Sequence, residues 1–299
     1  MGDVVLTAPA SGNPDRPHPN PSPEGEGLTV GGVLSAASHP LASVSDTPRL
    51  DAELLMAHAL AVPREEVLLQ RLDEPAPEAF DSLLARRLAH EPVAYITGRR
   101  AFWTIELEVG PGALVPRPDS ETLIEAALAH FGSASPARIL DLGTGPGTLL
   151  LAALSEWPDA SGVGVDASEA ALALGRRNAE RLGFAGRAEF RLGDWTSGLA
   201  GRFDLILCNP PYVEAGAELP RDVAEWEPPE ALFAGPDGLD DYRRLAPSLA
   251  PFLAPGGAAC IELGAGQFDA VASLFRHAGF TIRAYKDLSG RDRCLIATR

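Results

Sequence analysis

Asn209-Pro210-Pro211-Tyr212 directly follows an apolar run, Phe203–Cys208, and Asp141-Leu142-Gly143-Thr144-Gly145-Pro146-Gly147 closes another that begins at Arg138. The first segment combines a carboxamide, a stiffened turn and an aromatic ring, the parts needed to hold a planar nitrogen that is a poor nucleophile. An amide nitrogen has its lone pair delocalised into the carbonyl, and the exocyclic amines of adenine and cytosine share that difficulty. A site helps by accepting both N–H hydrogens, one on the Asn209 side-chain oxygen and one on the Pro210 carbonyl. This aligns the nitrogen with an incoming electrophile and favours the positive charge that develops on it. Pro211 stiffens the turn and Tyr212 packs against the flat acceptor. No ionisable base is required, because the proton can leave after the new bond has formed. The nearest histidines along the chain, His130 and His277, fall in predicted helices.

The glycine-rich segment offers a second ligand a backbone seat. Glycines at 143, 145 and 147 permit positive φ and close approach of a ligand. Their spacing is G-x-G-x-G, with Thr148 where a dinucleotide binder would have its third glycine, which speaks against a nicotinamide cofactor. Asp166 closes the next predicted strand, 19 residues past the last glycine (147 to 166), where an acid can accept from both hydroxyls of a ribose. Asp141 puts negative charge where a methionine-type ammonium and sulfonium would lie and where a pyrophosphate would be unwelcome. Asp194 and Trp195, after the third strand, are placed to meet an adenine edge and face. The bland alternative is that the glycines only make a turn, Asp166 caps a helix, Trp195 is core and Asn-Pro-Pro-Tyr is a loop.

The elements that must position these residues follow from periodicity. Strands are expected at Arg138–Leu142, Gly162–Asp166, Ala188–Leu192, Phe203–Cys208, Ala258–Leu263, Thr281–Tyr285 and Arg293–Thr298. Helical patterns run between them at Ser120–Phe131, Gly147–Glu156, Ser168–Leu182, Leu239–Leu253 and Gln267–Ala278. Such alternation predicts an α/β fold with a mostly parallel sheet and helices on both faces. Upstream, residues 28–98 read as a small helical domain, with Pro63 and Pro77 at helix starts. Phe102–Val109 alternates at period two and reads as one amphipathic strand, turned by Pro111-Gly112, so that residues 99–114 form a hairpin linker to a domain spanning 115–299. Residues 1–27 are rich in Pro, Gly and polar side chains and read as a disordered tail.

Composition bounds the function classes. The 299 residues are 45% hydrophobic and 22% charged, those of a soluble globular chain. Lys and Arg number 25 against 41 Asp and Glu, a net charge of −16, with no compact basic run, which disfavours direct nucleic-acid binding. Cys208, Cys260 and Cys294 lie in predicted strands and form no C-x-x-C pair, so reduced core thiols are expected and no metal site. No apolar stretch suits a membrane span and no signal peptide is evident, so a cytoplasmic monomer is expected.

With these motifs in place, the chain resembles the class I S-adenosylmethionine-dependent methyltransferases, and more narrowly the bacterial peptide chain release factor glutamine N5-methyltransferases. Beyond the glycine loop and Asn209–Tyr212, the resemblance rests on Glu91–Gly98 with Phe102-Trp103, on Val115–Glu121, on Glu227–Leu239 and on Ser289–Arg293. Asn-Pro-Pro-Tyr alone is shared with DNA adenine methyltransferases; the other blocks are more specific. The resemblance implies a Rossmann-like seven-stranded sheet behind a helical domain and a hairpin linker. It implies S-adenosylmethionine bound at Asp141, Gly143, Thr144, Gly145, Pro146, Gly147, Asp166, Asp194, Trp195 and Asn209. It implies release factors as protein substrates, recognised through the helical domain, with Asn209, Pro210, Pro211 and Tyr212 around the glutamine of their Gly-Gly-Gln motif. Arg117 and Glu121 are candidates to close the site, or equally a surface ion pair. Pro146 stands where that family usually has a small polar residue, and Ser120 where it usually has Thr; residues 1–27 have no counterpart. A nucleic-acid adenine N6-methyltransferase is the alternative enzyme, and a non-catalytic cofactor-binding module is an alternative of another class.

Overall fold

The computed structural model describes residues 28–299; the tail expected at 1–27 lies outside the described residues. Five helices come first: α1 (Val30–Leu41), α2 (Pro48–Leu60), α3 (Arg64–Gln70), α4 (Ala79–Leu88) and α5 (Val93–Thr97). Thr29 caps α1 by accepting from Gly32 N–H, and Pro48 opens α2 at a first-turn position where a missing N–H costs nothing. Leu34, Leu41, Leu55, Met56 and Phe80 bury their side chains together in a core that these helices keep to themselves. Within it, Arg87 is paired with Asp51 at 2.8 Å and donates to the Val44 carbonyl at 2.8 Å. A buried guanidinium needs such partners, because an unpaired one would be driven out by desolvation.

The segment read from its alternation as one strand is a two-stranded hairpin, β1 (Arg99–Phe102) and β2 (Ile105–Glu108), paired antiparallel. The chain reverses at Trp103-Thr104, with Trp103 at φ +54°. The Trp103 amide donates to Glu121 Oε1 at 2.8 Å and its indole N–H to Glu156 Oε1 at 2.5 Å. Two acids distant in sequence therefore hold a turn that carries neither Gly nor Asn, and local turn chemistry could not reveal it.

The remainder alternates α6 (Glu121–Phe131), β3 (Arg138–Leu142), α7 (Thr148–Glu156), β4 (Ser161–Asp166), α8 (Glu169–Arg181), β5 (Ala188–Leu192) and β6 (Phe203–Cys208). It continues through α9 (Arg221–Ala224), α10 (Asp240–Ser248), β7 (Leu253–Glu262), α11 (Phe268–His277), β8 (Thr281–Lys286) and β9 (Asp292–Thr298). The seven strands form one sheet ordered β5-β4-β3-β6-β7-β9-β8, parallel except at the two pairings of β9. Strand β7 begins five residues earlier than its apolar run suggests, at Leu253 rather than Ala258, because Phe203 pairs with Leu253 across an irregular step in the register. Both faces are packed: Leu150, Leu151 and Leu205 belong to one apolar layer, and Leu142, Ile206 and Phe275 to the other. Cys208, Cys260 and Cys294 are free thiols buried in these layers. Among the described residues no helix is long and apolar enough to cross a membrane.

Asn178, fully buried on α8, joins three parts of the molecule. Its Oδ1 accepts from Glu108 N–H at 2.7 Å, and its Nδ2 donates to the carbonyls of Glu108 at 2.9 Å and Pro146 at 3.0 Å. It thus ties the hairpin to the glycine loop. Replacing Asn178 with Ala strands these backbone groups in a dry interior, each worth about 1–3 kcal/mol. We expect Asn178→Ala to lower unfolding stability by about 3 kcal/mol in urea titrations; a loss below about 0.5 kcal/mol would mean that water replaces the side chain.

Candidate active site

Strand β3 runs into a loop whose three glycines all take positive φ, +68° at Gly143, +57° at Gly145 and +85° at Gly147. Gly143 and Thr144 donate their N–H groups to the Val165 carbonyl at 2.9 and 3.0 Å. A Cβ on Gly145 would meet nothing within 4 Å, whereas one on Gly143 would lie 3.4 Å from the Trp195 indole. Gly143 and Gly145 therefore present bare backbone at the surface, while Thr144, Pro146 and Gly147 are buried beneath them. The Thr144 hydroxyl faces inward and donates to Asp141 Oδ2 at 2.6 Å; the Leu150 amide donates to the same oxygen at 3.1 Å. Asp141 Oδ1 is buried without a partner. Desolvation raises this carboxyl from 3.8 to about 7, Thr144 and Leu150 oppose the rise, and Asp166 adds to it.

Asp166, at the end of β4, braces the loop as well as ending its strand. Its Oδ2 accepts from Gly145 N–H at 2.8 Å and its Oδ1 from Ser168 N–H at 2.8 Å. Desolvation raises its pKa and these N–H groups pull it back. Each oxygen retains a second lone pair for a hydroxyl ligand. Trp195 sits at φ +50°, unusual for a bulky residue, with its indole N–H on Asp241 Oδ1 at 3.2 Å. Asp194 is exposed, and its Oδ2 is engaged by Arg244 at 2.6 Å.

Asn209 follows β6, the strand next to β3, and its backbone oxygen lies 3.8 Å from where a Cβ on Gly143 would stand. The two motifs meet at one sheet edge. Asn209 Nδ2 donates to Ser120 Oγ at 3.1 Å. Its Oδ1 accepts no hydrogen bond among the described residues. Pro210 is buried; Pro211 and Tyr212 are half-buried. The Tyr212 hydroxyl donates to Glu262 Oε1 at 3.3 Å, and burial followed by the Glu262 charge raises its pKa. The Tyr212 carbonyl accepts from Gln267 Nε2 at 3.0 Å, and Gln267 Oε1 accepts from Gly264 N–H at 3.0 Å. Val213 exchanges backbone hydrogen bonds with Leu232 and Ala234, both 2.9 Å. Gly238, at φ +69°, passes so close that a Cβ there would be 2.3 Å from the Tyr212 carbonyl oxygen. The block Glu227–Leu239 thus packs on and holds the turn that carries Asn209–Tyr212.

The expected pair of Arg117 and Glu121 does not form. Arg117 Nη2 bonds instead to Glu227 Oε1 at 2.5 Å, and Glu227 Oε2 accepts from Val115 N–H at 3.2 Å. Glu121 is occupied by the hairpin turn at Trp103. Glu227 is 4% exposed, and its pKa is raised by desolvation against the pull of Arg117. Two further residues stand at the site that sequence alone had not placed there, although Ser120 was noted as a departure from the family. Ser120 and Glu262 are 2% and 0% exposed, and Glu262 is raised from 4.5 to about 7, chiefly by burial. The signal for Glu262 was available: an acid inside an otherwise apolar strand. Among the described residues no cluster of His, Cys, Asp or Glu could hold a metal ion.

These residues fit S-adenosylmethionine, the cofactor that the resemblance implies: bare glycine backbone, an acid with free lone pairs one strand over, and an indole beside the loop. The family described as PrmC N-terminal domain matches residues 33–98, and one described as methyltransferase domain matches residues 133–240. The release factor glutamine methyltransferase of Rhodospirillum rubrum is 45% identical over 260 residues, 85% of this chain and 80% of its own. That of Caulobacter vibrioides is 43% identical, over 85% of this chain and 90% of its own. The chain belongs to the release factor glutamine methyltransferase family. A methyltransferase from Pyrococcus furiosus, 20% identical, shares the fold, with a TM-score of 0.51 over 73% of this chain and 98% of its own.

The methyltransferase buries two carboxyl groups, Asp141 and Glu262, at about 7. Thr144, the Leu150 amide and Asp166 face the first; Ser120, Arg293, Tyr212 and Asp119 face the second. Between about pH 4.5 and 7 the folded chain holds protons that the unfolded chain has released. Stability therefore falls as pH rises through that window, by up to about 1.4 kcal/mol per unit for each group, and levels above it. Urea unfolding at pH 5.5 and 7.5 should show the higher midpoint at pH 5.5, with the difference reduced in Asp141→Asn. Equal midpoints would mean that both groups titrate normally.

Proposed function

We propose that the chain transfers a methyl group from S-adenosylmethionine to the side-chain nitrogen, N5, of the glutamine in the Gly-Gly-Gln motif of peptide chain release factors. The observation that carries this reading is the state of Asn209: its Nδ2 is turned to Ser120, and its Oδ1 accepts from no described residue and is open to a ligand. A carboxamide with an open oxygen suits a substrate group that offers hydrogens, and a glutamine NH2 is such a group. The Pro210 carbonyl supplies the second acceptor, and Tyr212, held by its hydroxyl on Glu262, supplies a flat wall. S-adenosylmethionine, when bound, contributes a methyl carbon made electrophilic by its positive sulfur.

The residues of the chain do the rest by position and charge. Asn209 Oδ1 and the Pro210 carbonyl take the two N–H hydrogens, which points the nitrogen's remaining face at the carbon and stabilises the charge appearing on nitrogen. With the methyl carbon passing from sulfur to nitrogen, the surplus proton on nitrogen would depart to water. Neither step needs a general base. The Gly143 and Gly145 backbone, Asp166 and Trp195 would hold the cofactor, with Asp141 and Thr144 bracing the loop from below. Relatives named release factor glutamine methyltransferase support the protein substrate, and the net charge of −16 disfavours a polyphosphate one.

Incubation of the purified enzyme with release factor and methyl-labelled S-adenosylmethionine should place label on that glutamine. Asn209→Ala should slow turnover by at least about a hundredfold, as for loss of a preorganised polar group at a reacting centre, while keeping the wild-type unfolding midpoint. Label on DNA but not on release factor would transfer the same acceptor chemistry to adenine.

A further inference from the structure

A side-chain carboxamide is nearly symmetric in shape, and only its hydrogen bonds decide which end is oxygen and which is NH2. For Asn209 the choice is decisive. With Oδ1 toward an incoming amide it accepts; with Nδ2 there it would set donor against donor. Ser120 holds the other end, but a hydroxyl both donates and accepts, so Ser120 alone could favour either orientation. Its hydrogen must be committed elsewhere for its oxygen to act purely as an acceptor.

Glu262 is placed to take that hydrogen. Cys208 pairs with Ile261, so Asn209 and Glu262 are neighbours just past paired positions on β6 and β7. The Glu262 carboxyl is fully buried. Its Oε1 accepts from Tyr212, and its Oε2 has no hydrogen-bond partner among the described residues. The Ser120 hydroxyl lies close enough to this carboxyl to lower its pKa, against the larger effect of burial. Once ionised, above about pH 7, the carboxyl can only accept, so it then polarises Ser120 one way, with the hydrogen toward Glu262 and the lone pair toward Asn209 Nδ2.

We infer that Glu262, acting through Ser120, is a positioning residue that fixes the orientation of the Asn209 carboxamide, and through Tyr212 the wall beside it. This rests on the assignment of Asn209 as the residue that receives the substrate amide. It gives a reason for a buried acid to be kept at the end of an apolar strand, where an unpaired charge is costly.

The test compares wild type, Ser120→Ala, Ser120→Thr and Glu262→Gln, measuring methyl transfer to release factor, S-adenosylmethionine affinity by calorimetry, and the urea midpoint. Ser120→Ala should lower kcat about tenfold, with cofactor affinity and KM for release factor within about threefold, because the pocket is intact but the amide is free to flip. Ser120→Thr retains the hydroxyl and should restore kcat to within about threefold of wild type. Glu262→Gln should mimic Ser120→Ala; if it fails to fold, the pH profile decides, since kcat of wild type should rise as pH passes through about 7 and that of Ser120→Ala should not. A wild-type kcat in Ser120→Ala or in Glu262→Gln, a Thr variant as slow as the Ala variant, a loss confined to KM or cofactor affinity, or, where Glu262→Gln does not fold, a wild-type profile flat through about pH 7 overturns the inference. Absence of label on release factor with the wild-type enzyme overturns the underlying reading instead, and the wild-type arm shows this by itself.

Discussion

Everything at this site depends on β3 and β6 being hydrogen-bonded neighbours, with Leu142 opposite Cys208. The chain leaves β3 for β4 and β5 on one side of the sheet, then returns through β6 to the other. The loops after β3 and β6 therefore leave the same edge in opposite directions and open a crevice between them, the place where open α/β sheets bind ligands. Two motifs more than 60 residues apart (147 to 209) are brought together by backbone pairing, and no side-chain contact between them is needed. One register step in that pairing would turn Asn209 to the opposite face, away from Ser120 and Glu262.

The crevice is surrounded by acids that are expensive to bury, and each has a job within reach. Asp141 receives Thr144 and the Leu150 amide and so fixes the floor of the glycine loop. Glu227 receives Arg117 and the Val115 amide and so fixes the entry to the catalytic part of the chain. Glu262 faces Tyr212 and Ser120. Desolvation raises all three, which is the energetic signature of groups held in place by the fold rather than chosen for stability.

The legible features in the sequence were those whose physics is local. The apolar runs of β3 and β6 and the alternation of strands and helices carried the sheet; positive φ was readable from Gly143, Gly145 and Gly147 because only glycine tolerates it cheaply. What could not be read depended on partners far away. The turn at Trp103 exists because Glu121 and Glu156 hold it. Arg117 passes over Glu121, its neighbour in sequence, for Glu227, 110 positions on. Asp166 looked like either a ribose ligand or a helix cap, and its position lets one carboxylate bond to the Gly145 and Ser168 amides while keeping lone pairs free. Thr144 lies in the loop motif, yet its side chain points into the protein.

The segment between Val213 and Leu239 joins the acceptor turn to the rest of the chain. At one end Val213 pairs with Leu232 and Ala234, and Gly238 packs on the Tyr212 carbonyl. In its middle Asp222 meets Arg87 of the helical core at 3.4 Å, Arg221 reaches His90 at 3.0 Å, and Glu227 holds Arg117. Arg87 is itself anchored to Asp51 on α2. A displacement of the N-terminal helices would therefore pull on Asp222 and Glu227, and through them on the backbone that shapes the Tyr212 wall. The Arg87 and Arg117 links are charge-assisted and partly buried, whereas the Arg221–His90 contact is exposed. The segment thus touches the helical core on one side and the turn at Asn209–Tyr212 on the other.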